Sequence, residues 1–264
     1  MTQISGSTAL VTGGASGIGL LMGEMLLQKG LAKLIVWDVS AANIETARAR
    51  LGDKASFAQV DVTDTAVVLE AVAALDHSVD ILVNNAGIIV GKPFADHTHA
   101  EIDRTMAVNS AALMHLARAL LPAMIAQGRG HIVNIASAAG MVANPNMSVY
   151  CASKWAVIGW SDSLRLEMEA ARTGVKVTTV TPYYIDTGMF HGVTSPIIPI
   201  LKPEPTAAKI IRAIERNRIL LRMPGLVYTL PLVRGLLPTR LFDLVVGRFM
   251  GIYASMKGFK GRGA

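Results

Sequence analysis

The chain is poor in the residues that staple small proteins and in those that keep chains unfolded. Cys151 is its only cysteine, so an intramolecular disulfide and a cysteine metal cluster are both excluded. Charged residues make up only 17% of 264 and hydrophobic residues 52%, which removes the compositional basis for disorder and allows a large core. No run of ~18 apolar residues is free of charge, proline and glycine, so no membrane-spanning helix is expected. Residues 1–10 contain neither a basic cluster nor a long apolar run. That argues against a secretory signal and, with the lone thiol, for the cytoplasm. Repeats and low-complexity linkers are missing too. The length is normal for one α/β domain.

The net charge of +6 is unevenly placed. Arg222, Arg234, Arg240, Arg248, Lys257, Lys260 and Arg262 face Asp243 alone, so the body before Arg222 is neutral. A nucleic-acid surface would interleave basic with exposed polar and aromatic groups. This tail is instead rich in Leu, Val, Phe and Met, and no nucleic-acid partner is expected.

Short apolar runs alternate with helical patterns. Residues 8–11, 34–37, 56–60, 81–83, 131–135, 175–180 and 219–221 read as strands, several apolar throughout, as strands buried on both faces are. Residues 17–29, 42–51, 66–75, 101–127, 148–173 and 206–216 read as helices. The alternation predicts α/β architecture of the Rossmann type: a doubly wound parallel sheet with helices on both faces. One domain is expected, with residues 1–223 as its dinucleotide-binding body. Residues 224–264 form an apolar, basic extension of short helices, a cap or an interface.

Three places carry special chemistry. Thr12-Gly13-Gly14-Ala15-Ser16-Gly17-Ile18-Gly19 follows the first strand and opens the first helix. Glycines there let a pyrophosphate reach the helix N-terminus, whose free N–H groups favour an anion. Asp38 closes the second strand, 19 residues after Gly19. A carboxylate at that place accepts hydrogen bonds from ribose hydroxyls and repels a 2′-phosphate, so NAD is expected rather than NADP. Capping the next helix is an equally ordinary duty for such an aspartate.

The second place, Asn84-Asn85-Ala86-Gly87, ends the fourth strand, on the side of the sheet where ligands bind. The third comprises Ser137, just past the fifth strand, with Tyr150 and Lys154 four apart on one helix face. A free phenol titrates near ~10 and is a poor base at neutral pH, but a nearby ammonium favours the phenolate. Such a tyrosine could take or return the proton of a hydroxyl as hydride moves. Taken alone, Tyr-x-x-x-Lys is also what a surface pair looks like.

In order and spacing these residues resemble the short-chain dehydrogenase/reductase family, from about Ser7 to Leu221. The resemblance implies NAD-dependent interconversion of an alcohol and a ketone. Tyr150 would be the acid/base, and Lys154 would hold the nicotinamide ribose and lower the Tyr150 pKa. Ser137 would bind the substrate oxygen, and Asn109 would order a water. It further implies a cofactor site of Gly13, Ser16, Gly17, Ile18, Gly19, Asp38, Asp61, Val62, Asn85, Ala86, Gly87, Pro182, Ile185 and Thr187, with no metal.

One departure stands out: Tyr183 follows Pro182 where the family carries a small residue, which should narrow the pocket. Residues 186–190 and the tail are similar to the retinol and hydroxysteroid branch, which suggests a bulky apolar secondary alcohol or ketone. A mobile lid is expected over residues 191–205. A homo-oligomer, tetramer or dimer, is expected through the helices at 110–127 and 148–170. The tail is expected to pack on the pocket or a neighbouring subunit, with an anionic lipid surface as the alternative. A 3-oxoacyl thioester reductase and an inert NAD-binding scaffold are the competing functions. His97 and His99 are expected to be solvated, and His131 structural.

Overall fold

A computed structural model describes residues 1–261; Arg262, counted in the basic tail, lies outside the described residues. Seven parallel strands form one sheet in the order β3-β2-β1-β4-β5-β6-β7. They are β1 (Thr8–Thr12), β2 (Lys33–Asp38), β3 (Ala55–Gln59), β4 (Ile81–Asn84), β5 (Gly130–Ile135), β6 (Val175–Pro182) and β7 (Leu220–Met223). The helices between them are α1 (Gly17–Gln28), α2 (Ala41–Leu51), α3 (Thr65–Ala73), α4 (His99–Met106), α5 (Ala112–Ala126), α6 (Ser148–Ala170) and α7 (Pro203–Glu215). This is the expected doubly wound sheet.

Period-two alternation divides the core. Ala9 and Val11 of β1, with Leu34 and Val36 of β2, join α1 and α7 on one face through Met22, Leu26, Ile210 and Ile214. Leu10, Ile35 and Trp37 point the other way, to Leu116, Leu120 and Met124 of α5 and Leu164 and Met168 of α6. Both faces being covered explains why these strands lack polar alternation.

Two helical details differ from expectation. The span read as one helix from 101 to 127 is interrupted by a π-turn, Ala107–Ala111, between α4 and α5. The continuous stretch His99–Ala126 is also long and apolar enough, by length and composition, to cross a membrane. Half of its most apolar window is buried inside the protein, with Leu116 and Leu120 packed on the sheet, so here it is a core helix.

His131 is structural, as expected. It is fully buried, with Nδ1 2.8 Å from the Thr2 hydroxyl and Nε2 2.7 Å from Thr178 Oγ1. His97 corrects its expectation. Both ring nitrogens are buried without a hydrogen-bond partner, because the loop folds the ring beside Phe94, 6.1 Å away.

The tail coils into short turns, including α8 (Leu230–Leu236) and α9 (Thr239–Phe242) and a π-turn, Asp243–Phe249. It packs on the body. Val227, Leu230, Phe242, Val246 and Ile252 cluster with Met141, Val142 and Ile198. Met256 reaches Met147, Tyr150 and Tyr184.

Candidate active site

The strands deliver their loops to one rim, and a cleft runs along it. At one end the chain turns from β1 into α1. Gly13 adopts φ +60°, where a Cβ would stand 3.0 Å from Ala86 Cα. At Gly19 a Cβ would lie 2.3 Å from the Gly13 carbonyl oxygen, so only glycine lets helix and turn close up. Ser16 caps α1 without a side-chain bond. The first-turn amides are thus left for an anion, and the loop fits a pyrophosphate.

The second loop is tied to the first. Asn85 Nδ2 donates to the carbonyls of Thr12 and Gly13, 3.0 Å each, and Thr12 Oγ1 accepts from the amides of Asn85 and Ala86, 3.1 Å each. Asp38 is buried; its carboxylate accepts from the Ala15 amide (3.2 Å) and the Ser40 amide (3.0 Å). It therefore braces the glycine loop, while the helix cap itself falls to Ser40, whose hydroxyl accepts from the Asn43 amide. Burial pushes Asp61 up, but hydrogen bonds from Thr63 and Arg104 outweigh it and hold the carboxyl below its ordinary value. Arg104 Nη1 lies 2.9 Å from Asp61 Oδ2.

At the other end stand the reactive groups. Ser137 follows β5; its Oγ accepts from the Ala139 amide at 3.1 Å and donates to the Pro182 carbonyl at 3.5 Å. α6 carries both Tyr150 and Lys154, each buried. Lys154 Nζ donates to the Ile135 carbonyl at 2.9 Å and lies 5.7 Å from the Tyr150 ring centre. Burial pushes Lys154 down to about 8. Burial also drives the Tyr150 phenol well above its ordinary range, the Ser137 hydroxyl pulls it back, and Cys151 and Tyr184 push it further up. The lowering expected from Lys154 is not found in this structure, because its ammonium is turned to the Ile135 carbonyl and burial outweighs it.

Of the expected residues, the cleft is lined by Gly13, Ser16, Gly17, Ile18, Asp38, Asp61, Val62, Asn85, Ala86, Gly87, Ser137, Tyr150, Lys154, Pro182, Ile185 and Thr187. Gly19 and Asn109 stand behind its wall. Asn109 sits in the π-turn, fully buried. Its Oδ1 accepts from the Ile88 amide (2.8 Å), and its Nδ2 donates to the Ile88 carbonyl (2.9 Å) and Ser153 Oγ (3.1 Å). Arg104, Met189 and Phe190 also line the cleft and were missed. The proximity of Arg104 to Asp61, 43 residues away, left no local sequence signal.

Residues 7–197 match the model of the short chain dehydrogenase family. The chain belongs to that family. This dehydrogenase is accordingly a nicotinamide-dependent oxidoreductase acting on a small-molecule alcohol or carbonyl. It is 34% identical to epidermal retinol dehydrogenase 2 of Mus musculus, over 98% of this chain and 87% of that protein. It is 30% identical to estradiol 17-beta-dehydrogenase 11 of Rattus norvegicus, over 98% and 89%. Both names fall in the branch that the tail suggested. Among solved structures, a short chain dehydrogenase from Burkholderia cenocepacia in complex with NADP superposes with TM-score 0.81 at 26% identity, over 93% of this chain and 99% of that one. A relative from Burkholderia phymatum in complex with NAD gives 0.77 at 26%, over 94% and 97%.

On the substrate side the dehydrogenase is mainly apolar. Tyr183 lines the cleft, and its ring packs on Tyr184 with centres 4.5 Å apart. Phe190 meets the Tyr150 ring edge-on at 6.0 Å. The segment expected as a lid is strapped to the tail. The Thr194 amide donates to the Ser255 carbonyl (3.1 Å), and the Lys260 amide donates to the His191 carbonyl (2.9 Å).

Proposed function

We propose that the enzyme interconverts a bulky apolar secondary alcohol and its ketone with NAD, using Tyr150 as the acid/base. What carries this reading is one unbroken cleft that runs from the Asp38 carboxylate to the Tyr150 hydroxyl. Gly13, Ser16, Gly17 and Ile18 would hold a pyrophosphate, Asp38 the adenosine ribose, and Asp61 and Val62 the adenine. Pro182, Ile185 and Thr187 would hold the carboxamide. The bound nicotinamide supplies the hydride acceptor in oxidation and the donor in reduction. Ser137 orients the substrate oxygen. In ketone reduction Tyr150 gives that oxygen its proton; in alcohol oxidation the phenolate takes it. Lys154 would hold the nicotinamide ribose with its ammonium, and Asn109, which supports the floor through Ile88, would order a water.

Asp38 supports NAD over NADP, since no basic residue stands at Gly14, Ala15, Ser16 or Val39 to offset its charge. Apolar Tyr183, Met189 and Phe190 support a hydrophobic substrate, of the retinoid or steroid type that the relatives' names carry. The tail, over its described residues 224–261, is a cap within the single domain. Its other face leaves Leu232, Leu236 and Phe249 exposed beside Arg240 and Arg248, the surface that an anionic membrane would meet. Salt-sensitive co-sedimentation with anionic liposomes tests that contact. Exposed Ile125 on α5, with Trp155 and Leu166 on α6, supports a homo-oligomer, which light scattering tests.

The deciding experiment is a cofactor absorbance assay with NAD or NADP and a panel of hydrophobic secondary alcohols, steroids and retinoids among them. NAD-dependent turnover is expected. No turnover of any alcohol, or equal use of NADP, would contradict the reading.

A further inference from the structure

Ser137, Tyr183 and Phe190 line the cleft, and the same three residues line a small side pocket next to it. The side pocket has about 30 Å³ of free space, room for a water or two and for no substrate group. Its other walls are mainly apolar, with Val142, Leu230 and Ile252 among them. A residue that lines both spaces stands between them. Tyr183 is thus part of the partition, beside the serine that orients the substrate oxygen.

The Tyr183 ring is held where it stands. Its backbone amide donates to the Met223 carbonyl at 2.8 Å. Its ring packs on Tyr184. Its hydroxyl lies 3.1 Å from Ser195 Oγ, in the segment before α7, and Ser195 is hydrogen-bonded in turn to the Ile198 carbonyl. Tyr183 also packs against both apolar clusters, the one built with the tail and the one around Tyr150. A ring fixed through backbone, neighbour and hydroxyl does not swing aside for a ligand.

The geometry of the reaction gives this wall a consequence. When the oxygen of the reacting carbon is held at Ser137 and its hydrogen faces the nicotinamide, two substituents remain. The one nearer the serine meets Tyr183 and Phe190.

We infer that Tyr183 is a specificity determinant: its ring closes the side pocket and limits the size of the substituent that the reacting carbon carries on the Ser137 side. The inference rests on the proposed alcohol dehydrogenase function and narrows its substrate class to alcohols and ketones with one bulky apolar substituent and one slender one. Trimming the ring joins the side pocket to the cleft and makes room for a branch that the native enzyme rejects.

The test uses full-length enzyme, NAD and a series of carbinols that share one long alkyl chain and carry methyl, propyl or phenyl as the second substituent. Wild-type kcat/KM is expected to fall at least about tenfold from methyl to phenyl, the scale on which an apolar pocket rejects a change of bulk. Tyr183→Ala should raise kcat/KM for the phenyl carbinol at least about tenfold above wild type. Tyr183→Phe, which keeps the ring and loses the Ser195 bond, should keep the wild-type order. A gain of activity is not what a damaged fold produces, and Tyr183→Leu should show a smaller gain even if Tyr183→Ala does not fold. Equal kcat/KM across the series in wild type would overturn the inference while leaving the dehydrogenase reading intact. So would the absence of any gain on the phenyl carbinol in a variant that still turns over the methyl one. Turnover of no carbinol by wild type would overturn both.

Discussion

Gly192 and Gly258 meet backbone to backbone: a Cβ on Gly192 would lie 2.0 Å from the Gly258 carbonyl oxygen, and Gly192 holds φ +87°. At this point the loop before α7 is fastened to the tail, just behind the wall that Phe190 and Met256 share with Tyr150. Any side chain at residue 192 must push the two segments apart.

Gly192→Ala is therefore expected to lower the melting temperature, with the left-handed backbone alone costing ~1–2 kcal/mol. It should also raise KM for the alcohol several-fold while leaving NAD affinity within twofold, because the glycine-rich loop lies at the far end of the cleft. Calorimetry and steady-state kinetics check both. Unchanged KM would mean that the strap does not shape the substrate chamber.

His131 sets an acid limit. Burial, aided by Lys176, pushes its imidazole down to about 4 from 6.5. The unfolded chain thus binds a proton that the folded protein refuses between about pH 6.5 and pH 4. Stability attributable to this group is intact above the upper value and is lost as pH falls toward the lower one, by ~3 kcal/mol in all. Denaturant titrations of wild type and His131→Asn from pH 8 to pH 4 read the difference. The variant should be weaker at pH 8 and lose less on acidification; parallel curves would contradict the account.

Asp38 should govern cofactor choice. Asp38→Ala combined with Val39→Arg removes a carboxylate and adds a guanidinium suited to a phosphate, so kcat/KM for NADP should rise relative to NAD by at least tenfold. Asp38 also braces Ala15 and Ser40, so Asp38→Asn serves as the milder control. If wild type already uses NADP as well as NAD, the assignment of Asp38 fails.

The fold was legible because the central strands are buried on both faces and the helices are not. Leu34 to Trp37 reads as a central parallel strand, and Gly13 to Gly19 reads as the tight turn from its neighbour into α1. Less was legible where the deciding contact is distant in sequence. Nothing near Asn109 announces a π-turn, and nothing near Arg104 announces Asp61. The apolar tail was visible as composition, but its partners Met141, Val142 and Ile198 were not. No local pattern marks Asn144. Only the fold brings Ser255, 111 residues on, to its amide and leaves the other end of that amide unpaired. The motif marked Tyr150; the fold places it on the cleft, where burial pushes its phenol up.

The most direct test of the central claim is single-turnover hydride transfer by Tyr150→Phe, with NAD affinity measured alongside. The substitution keeps the ring against Phe190 and removes only the hydroxyl that carries the proton. The rate should fall ~100-fold or more, the usual contribution of a positioned acid/base, while NAD affinity stays within twofold. A variant that keeps more than about a tenth of the wild-type rate would show that the proton travels by another route.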